Sequence, residues 1–148
     1  MAATITVEQV QAAVRRYFQV LTEKIAGELG KMYTYDSLVF GAFVARPEPG
    51  RISAARRERE YFRPESSYRA EITRPIEVQI LAENVAVAVH TMRSYGVNLE
   101  ESTLGKRFNR TVRDGRGTHV FVLDPEGNLV LVHQHISDIC RAPLEPVK

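Results

Sequence analysis

Apolar residues at Val7, Val10, Val14, Phe18, Leu21 and Ile25 recur at spacings of three and four, the signature of one buried helical face. Thr6 stands just before this run and Gln9 three residues later, the arrangement of a reciprocal N-terminal cap. A first helix of about five turns is predicted from Val7 to Ile25. Gly27 and Gly30 interrupt the next stretch, so "GELGKMY" reads as a short second helix. "SLVFGAFV" is β-branched and aromatic and suits a strand. Pro47, Pro49 and Gly50 form a loop, and Ser53 caps a third helix that runs through Arg63 and stops at Pro64.

Beyond Pro64 the periodicity shortens to two. "YRAEITRPIEVQIL" and "NVAVAVHTMRSY" are long strand candidates joined near Ala82–Glu83–Asn84. "GTHVFVLD" and "NLVLVHQHIS" form a second pair, turning at Asp124–Pro125–Glu126–Gly127. Residues 97 to 116 carry no clear period and read as an extended loop or hairpin arm. The tail 139–148, ending "RAPLEPVK", carries two prolines and reads as flexible. Helices first and strands second indicate an α+β fold, with helices covering one face of a mostly antiparallel sheet.

Composition narrows this little. The chain has 148 residues, room for one core, so residues 1–148 are expected to form a single domain. Apolar residues make up 44% and charged residues 26%, which argues against a disordered chain. One cysteine, Cys140, excludes an internal disulfide and a multi-cysteine zinc site. There is no apolar run long enough for a bilayer and no signal-peptide layout, so a cytoplasmic protein without membrane association is expected. Net charge is only +2, yet 16 of the 20 basic residues are arginine. "RRERE" interleaves Arg56, Arg57 and Arg59 with Glu58 and Glu60 and reads as a solvated helix face. "KRFNRTVRDGRG" reads as a charged arm, and no nucleic-acid partner is expected.

Three strings carry a resemblance in their order and spacing: "AVRRYF" in the first helix, "KMYTYDSLVFG" entering the first strand, and "THVFVLDPEGNLVLVHQHISD" at the end. Together they resemble the NTF2-like superfamily, which includes ketosteroid isomerases, SnoaL-type polyketide cyclases and the kinase association (hub) domain. The resemblance implies a curved sheet wrapped around the N-terminal helices as a cone, enclosing a hydrophobic pocket. It also implies a homodimer formed through the sheet and a small-molecule ligand.

Site residues are assigned from the resemblance position by position. Tyr17 matches the isomerases' oxyanion-binding tyrosine, and His119 falls where their oxyanion aspartic acid stands. Both can donate to a carbonyl or enolate oxygen. The alternative for Tyr17 is a ring packed in the core, and for His119 a place on the sheet surface. The isomerases' base aspartate falls at or beside Phe40–Gly41, where this chain has no carboxylate and Phe40 is expected to line the pocket. Asp36 is the nearest substitute, though it also suits a turn. Tyr33 could extend a hydrogen-bond network from Tyr17. Phe62, with Tyr61, is expected at the pocket floor, and Phe121 on the His119 face of its strand. Aligning "AVHTMRSY" to the isomerases turns Val89, Thr91 and Arg93 toward the pocket, where Arg93 would suit an acidic ligand.

His133 and His135, two apart in "LVLVHQHISD", suggest a metal pair. A site needs three or four ligands, and Asp138 and Glu145 lie at the wrong spacing. No metal or other cofactor is expected. The resemblance instead turns Val132, Gln134 and Ile136 toward the pocket and the two histidines toward a dimer partner. Two functions are therefore expected as alternatives. One is a small-molecule protein, an isomerase, cyclase or dehydratase acting on an apolar oxygenated substrate through Tyr17 and His119. The other is a non-catalytic oligomerisation or ligand-sensing domain.

Overall fold

The cap at Thr6 forms as the sequence demands. Its hydroxyl accepts from Gln9 N–H at 3.2 Å, and the Gln9 side chain accepts from Thr6 N–H at 3.0 Å. Helix α1 (Val7–Glu23) comes next and buries Val10, Val14, Tyr17, Phe18, Val20 and Leu21. Full burial of such apolar side chains stabilises by about 1.5–3 kcal/mol each. The helix ends at Lys24, whose left-handed backbone (φ 55) turns the chain. The computed structural model describes residues 4–41 and 45–139. Cys140 and the rest of the tail lie outside them, while Ile139 N–H still bonds Asp114 O at 2.8 Å.

Helix α2 (Glu28–Lys31) is a single turn. Strand β1 (Tyr33–Phe40) then begins four residues earlier than "SLVFGAFV" suggested. After the two-residue β2 (Glu48–Pro49), helix α3 (Gly50–Tyr61) follows directly, with Pro49 rather than Ser53 at its cap position. Ser53 is instead buried inside the helix. Gly50 is required where α3 meets β1, because a Cβ there would stand 2.4 Å from Ser37 Oγ and from the Tyr33 ring.

"YRAEITRPIEVQIL" is two strands, β3 (Ser67–Ile72) and β4 (Glu77–Ala82). Pro75, which cannot donate to a ladder, sits in the break. Both pair with β5 (Val85–Ser102), with Ile72 opposite Met92 and Glu77 opposite Val89. The obscure stretch 97–116 is the far part of a long hairpin in which β5 pairs antiparallel with β6 (Gly105–Leu123) from Val85↔Val122 to Ser102↔Gly105. Strand β7 (Leu129–Asp138) completes an open sheet of order β2–β1–β7–β6–β5–β3, with β4 also on β5. Only the β1–β7 pairing is parallel among the described strands.

The fold is α+β, with the core between the helices and the inner sheet face. That face presents Tyr33, Ser37 and Val39 from β1, Ala86, Ala88, His90 and Met92 from β5, His119 and Phe121 from β6, and Leu131, Gln134 and Ile136 from β7, all buried. No helix among the described residues is long and apolar enough to cross a membrane.

Candidate binding site

The inner face of the sheet carries a chain of buried polar side chains that the sequence did not reveal. Tyr33 Oη donates to Gln134 Oε1 at 2.7 Å. Gln134 Nε2 lies 3.2 Å from His119 Nδ1, and His119 Nε2 lies 2.8 Å from His90 Nε2. One proton arrangement satisfies all three contacts. With Oε1 taken by the tyrosine, Gln134 Nε2–H donates to His119 Nδ1, and His119 Nε2–H donates to His90 Nε2. His90 then carries its proton on Nδ1, which is buried without a partner among the described residues. Burial lowers His90 to about 4. Burial, His90 and the Arg57 cation hold His119 well below the usual imidazole range. Both rings are therefore neutral at pH 7, as a dry site requires.

The arrangement depends on a glycine. Gly117 lies opposite His90 across the β5–β6 ladder, and a Cβ there would stand 2.5 Å from His90 Nε2. Aromatic rings close the other sides. Phe121 stacks on His119 at 6.0 Å, Phe18 meets His90 edge-on at 5.3 Å, and Tyr17 meets His119 edge-on at 5.6 Å.

Beside this network opens a cavity of ≈360 Å³ between α1, α3 and the inner sheet face. Tyr17, Leu21, Tyr61, Tyr68, Met92 and Ile136 supply its apolar and aromatic wall, and Gly41 reaches it from β1's end. Its charged lining is Arg56, Arg57, Glu60, Arg113 and Asp138. Arg56 pairs with Glu48 and, at 3.7 Å, with Glu60; Arg113 pairs with Asp138 at 3.4 Å. Arg57 has no carboxylate within 4 Å among the described residues, and its guanidinium lies 5.6 Å from the Tyr17 ring centroid. Burial pulls Arg57 below its usual value and pushes the Tyr68 phenol up to about 12. The Tyr17 hydroxyl is buried and bonds to nothing among the described residues.

These positions sort the expected site residues. Tyr17 and Ile136 line the cavity. Gln134 is on the inner face but is spent on Tyr33 and His119, and Tyr33 joins that network without reaching Tyr17. Phe121 is core. Phe62 packs against the core without lining the cavity.

Others need correction. His119 is fully buried with both ring nitrogens engaged, so it has no donor left for a ligand. Val89 and Arg93 face the opposite side, because Ala86, Ala88, His90 and Met92 take the inner phase of β5. Val89 lines an outer groove with Thr118 and His135, while Arg93 pairs with Asp114 at 2.8 Å. A bulge between Val120 and Phe121 pairs Leu131 with Phe121 and His133 with Val120, so Leu131 takes the inner place and Val132 is left between them. Val39 rather than Phe40 points inward, and Phe40 meets His135 at 5.8 Å. Asp36 is exposed and away from the cavity. His133 and His135 lie on the outer face, in the phase opposite Gln134 and Ile136.

Arg57 and His90 are the functional candidates that the sequence reading missed. Ser53, Arg57 and Tyr61 share one helical stripe at i, i+4 and i+8 with buried Ser53 at its head, a signal masked by the surrounding charges.

No family model matches the chain, and no curated protein does. Solved structures do match. An NTF2-like superfamily protein from Salmonella enterica aligns with TM-score 0.69 at 16% identity, over 95% of this chain and 96% of that one. A Catenulispora acidiphila protein in complex with S-DNPA aligns with TM-score 0.61 at 17% identity, over 88% and 91%. The association domain of C. elegans CaMKII aligns with TM-score 0.65 at 14% identity, over 88% and 93%. At such identities the likeness speaks for architecture alone, and on architecture these matches agree with the strings in the sequence. The chain has the NTF2-like cone fold.

Proposed function

We propose that the protein binds a small, largely apolar molecule bearing an oxygen acceptor in the cavity between α1, α3 and the sheet. One observation carries this reading: a buried Tyr17 hydroxyl, without a hydrogen-bond partner among the described residues, in the apolar and aromatic part of a cavity wall that also carries charged side chains. A buried donor left unmade costs about 1–3 kcal/mol, which a ligand oxygen would recover. The similar Catenulispora protein is in complex with S-DNPA, which supports the reading by analogy. Tyr17, without His119, remains as the donor toward a carbonyl or enolate oxygen. The isomerase, cyclase and dehydratase chemistries need a base as well, and Phe40–Gly41 offers no carboxylate. Binding is therefore the core of the proposal, and a water or the substrate itself would have to serve as base in any reaction.

Tyr17→Phe tests it. Ligand affinity should fall by about tenfold, the worth of one hydrogen bond. Thermal stability should hold or rise, since the substitution removes an unpaired buried hydroxyl. Unchanged affinity in a folded Tyr17→Phe protein would refute the assignment. As a companion reading we infer self-association through the outer sheet face, where Leu38 and Val89 remain 48% and 41% exposed. The likeness to an association domain supports it by analogy.

A further inference from the structure

We infer that the cavity ligand is an anion, a carboxylate on an apolar or aromatic body, and that Arg57 determines this preference. The inference rests on the cavity being a binding site, as proposed above, and adds the chemical class of the ligand. Three arginines line the cavity and two acids line it with them. Glu60 is within 4 Å of Arg56, which Glu48 also holds, and Asp138 is held by Arg113. The acids are thus engaged elsewhere, and Arg57 is left with none within 4 Å among the described residues.

The surroundings of Arg57 make that omission informative. Its closest company is aromatic: the Tyr17 ring lies beneath the guanidinium at 5.6 Å, and Tyr68, Tyr61 and, beyond ion-pair distance, Glu60 stand near enough to bear on its charge. A ring face compensates a cation only in part. A guanidinium taken partly out of water without a carboxylate is a costly arrangement, so a folded protein retains it where something else completes it. A planar carboxylate is the natural complement, since guanidinium donors form a fork that matches its two oxygens. Leu21, Met92 and Ile136 then offer apolar surface for the rest of the molecule, and the unpartnered Tyr17 hydroxyl supplies a further donor. A neutral carbonyl compound would use the tyrosine and leave Arg57 unpaired.

The test compares 1-naphthylacetate with 1-naphthylacetamide, which share shape and differ in charge, by isothermal titration against wild type, Arg57→Gln and Tyr17→Phe. Wild type should bind the acid at least about tenfold more tightly than the amide, as expected for a hydrogen bond to a charged group. Arg57→Gln should lose that preference while keeping its affinity for the amide, which also shows that the variant is folded. Tyr17→Phe should weaken both ligands and keep the preference. Equal binding of acid and amide by wild type, or a preference that survives Arg57→Gln, would overturn the inference and leave the cavity reading intact. Failure of wild type to bind either compound would count against the cavity reading, and against this inference with it.

Discussion

Tyr17 and His90 each bury a polar atom without a partner among the described residues, but for different reasons. The Tyr17 hydroxyl lines a cavity and can be satisfied from it. His90 Nδ1 is the blind end of a one-way chain that starts at Tyr33 Oη and is spent by the time it reaches His90. That chain has no room for an extra proton. A proton on His119 Nδ1 would face the Gln134 amide N–H, and a proton on His90 Nε2 would face His119 Nε2–H. Acid must therefore break it. Arg57 on α3 adds to the cost, while α1 contributes only the neutral rings of Tyr17 and Phe18. With His90 lowered from 6.5 to about 4, the unfolded chain binds more protons than the native one between those values. Stability is then at its full value above about pH 6.5 and falls as pH drops toward 4. His90 alone should cost about 2 kcal/mol by pH 5. Thermal melts from pH 7 to 5 should show a fall of several degrees, and His90→Gln should flatten that slope even if it lowers stability throughout. An unchanged slope in the variant would mean that the histidine pair is not the titrating element.

At the scale of elements, α3 is held to β1 by absence of a side chain. Gly50 lets the helix start lie against Ser37 and the Tyr33 ring, and its N–H donates to Ser37 Oγ at 3.2 Å. Gly50→Ala would push a methyl into both, an overpacking cost of about 1–3 kcal/mol. Urea melts should show unfolding free energy reduced by that amount, and since α3 carries Arg57, ligand affinity should drop with it. A variant as stable as wild type would show that α3 can slide without cost.

The elements also show what the sequence could reveal. Helix α1 was legible because a cap and an apolar period agree on it, whereas the inward phase of β7 at Gln134 and Ile136 came from the likeness to the isomerases, and the strand's alternation keeps to it there. Alternation fails at Val132, where a bulge consumes one residue. On β5 the likeness to the isomerases set the wrong phase, turning Val89, Thr91 and Arg93 inward where Ala88, His90 and Met92 are buried. The Tyr33–Gln134–His119–His90 chain joins residues far apart in sequence on four strands, so no local spacing encodes it. Arg57 was hidden by composition, since one inward arginine in "RRERE" looks like its solvated neighbours.

For the whole molecule, the two faces of the sheet differ in what covers them. The inner face is sealed by helices and carries the cavity. The outer face has no helix over β1, β7 and β6 among the described elements, and it presents Leu38, Val89, Phe40 and His135 beside polar Thr118 and Ser137. A mixed surface of this kind suits a two-fold contact in which each copy offers the same patch. Light scattering should then give twice the chain mass. Leu38→Asp with Val89→Asp should give a monomer that still binds 1-naphthylacetate, because both residues lie across the sheet from Arg57 and Tyr17. His133→Ala, whose Cα partner on β1 is Leu38, should weaken the dimer more than it weakens binding. A monomeric wild type would remove the association reading and leave the cavity untouched, whereas loss of binding in the Asp variant would mean that the two faces are coupled through the strands they share.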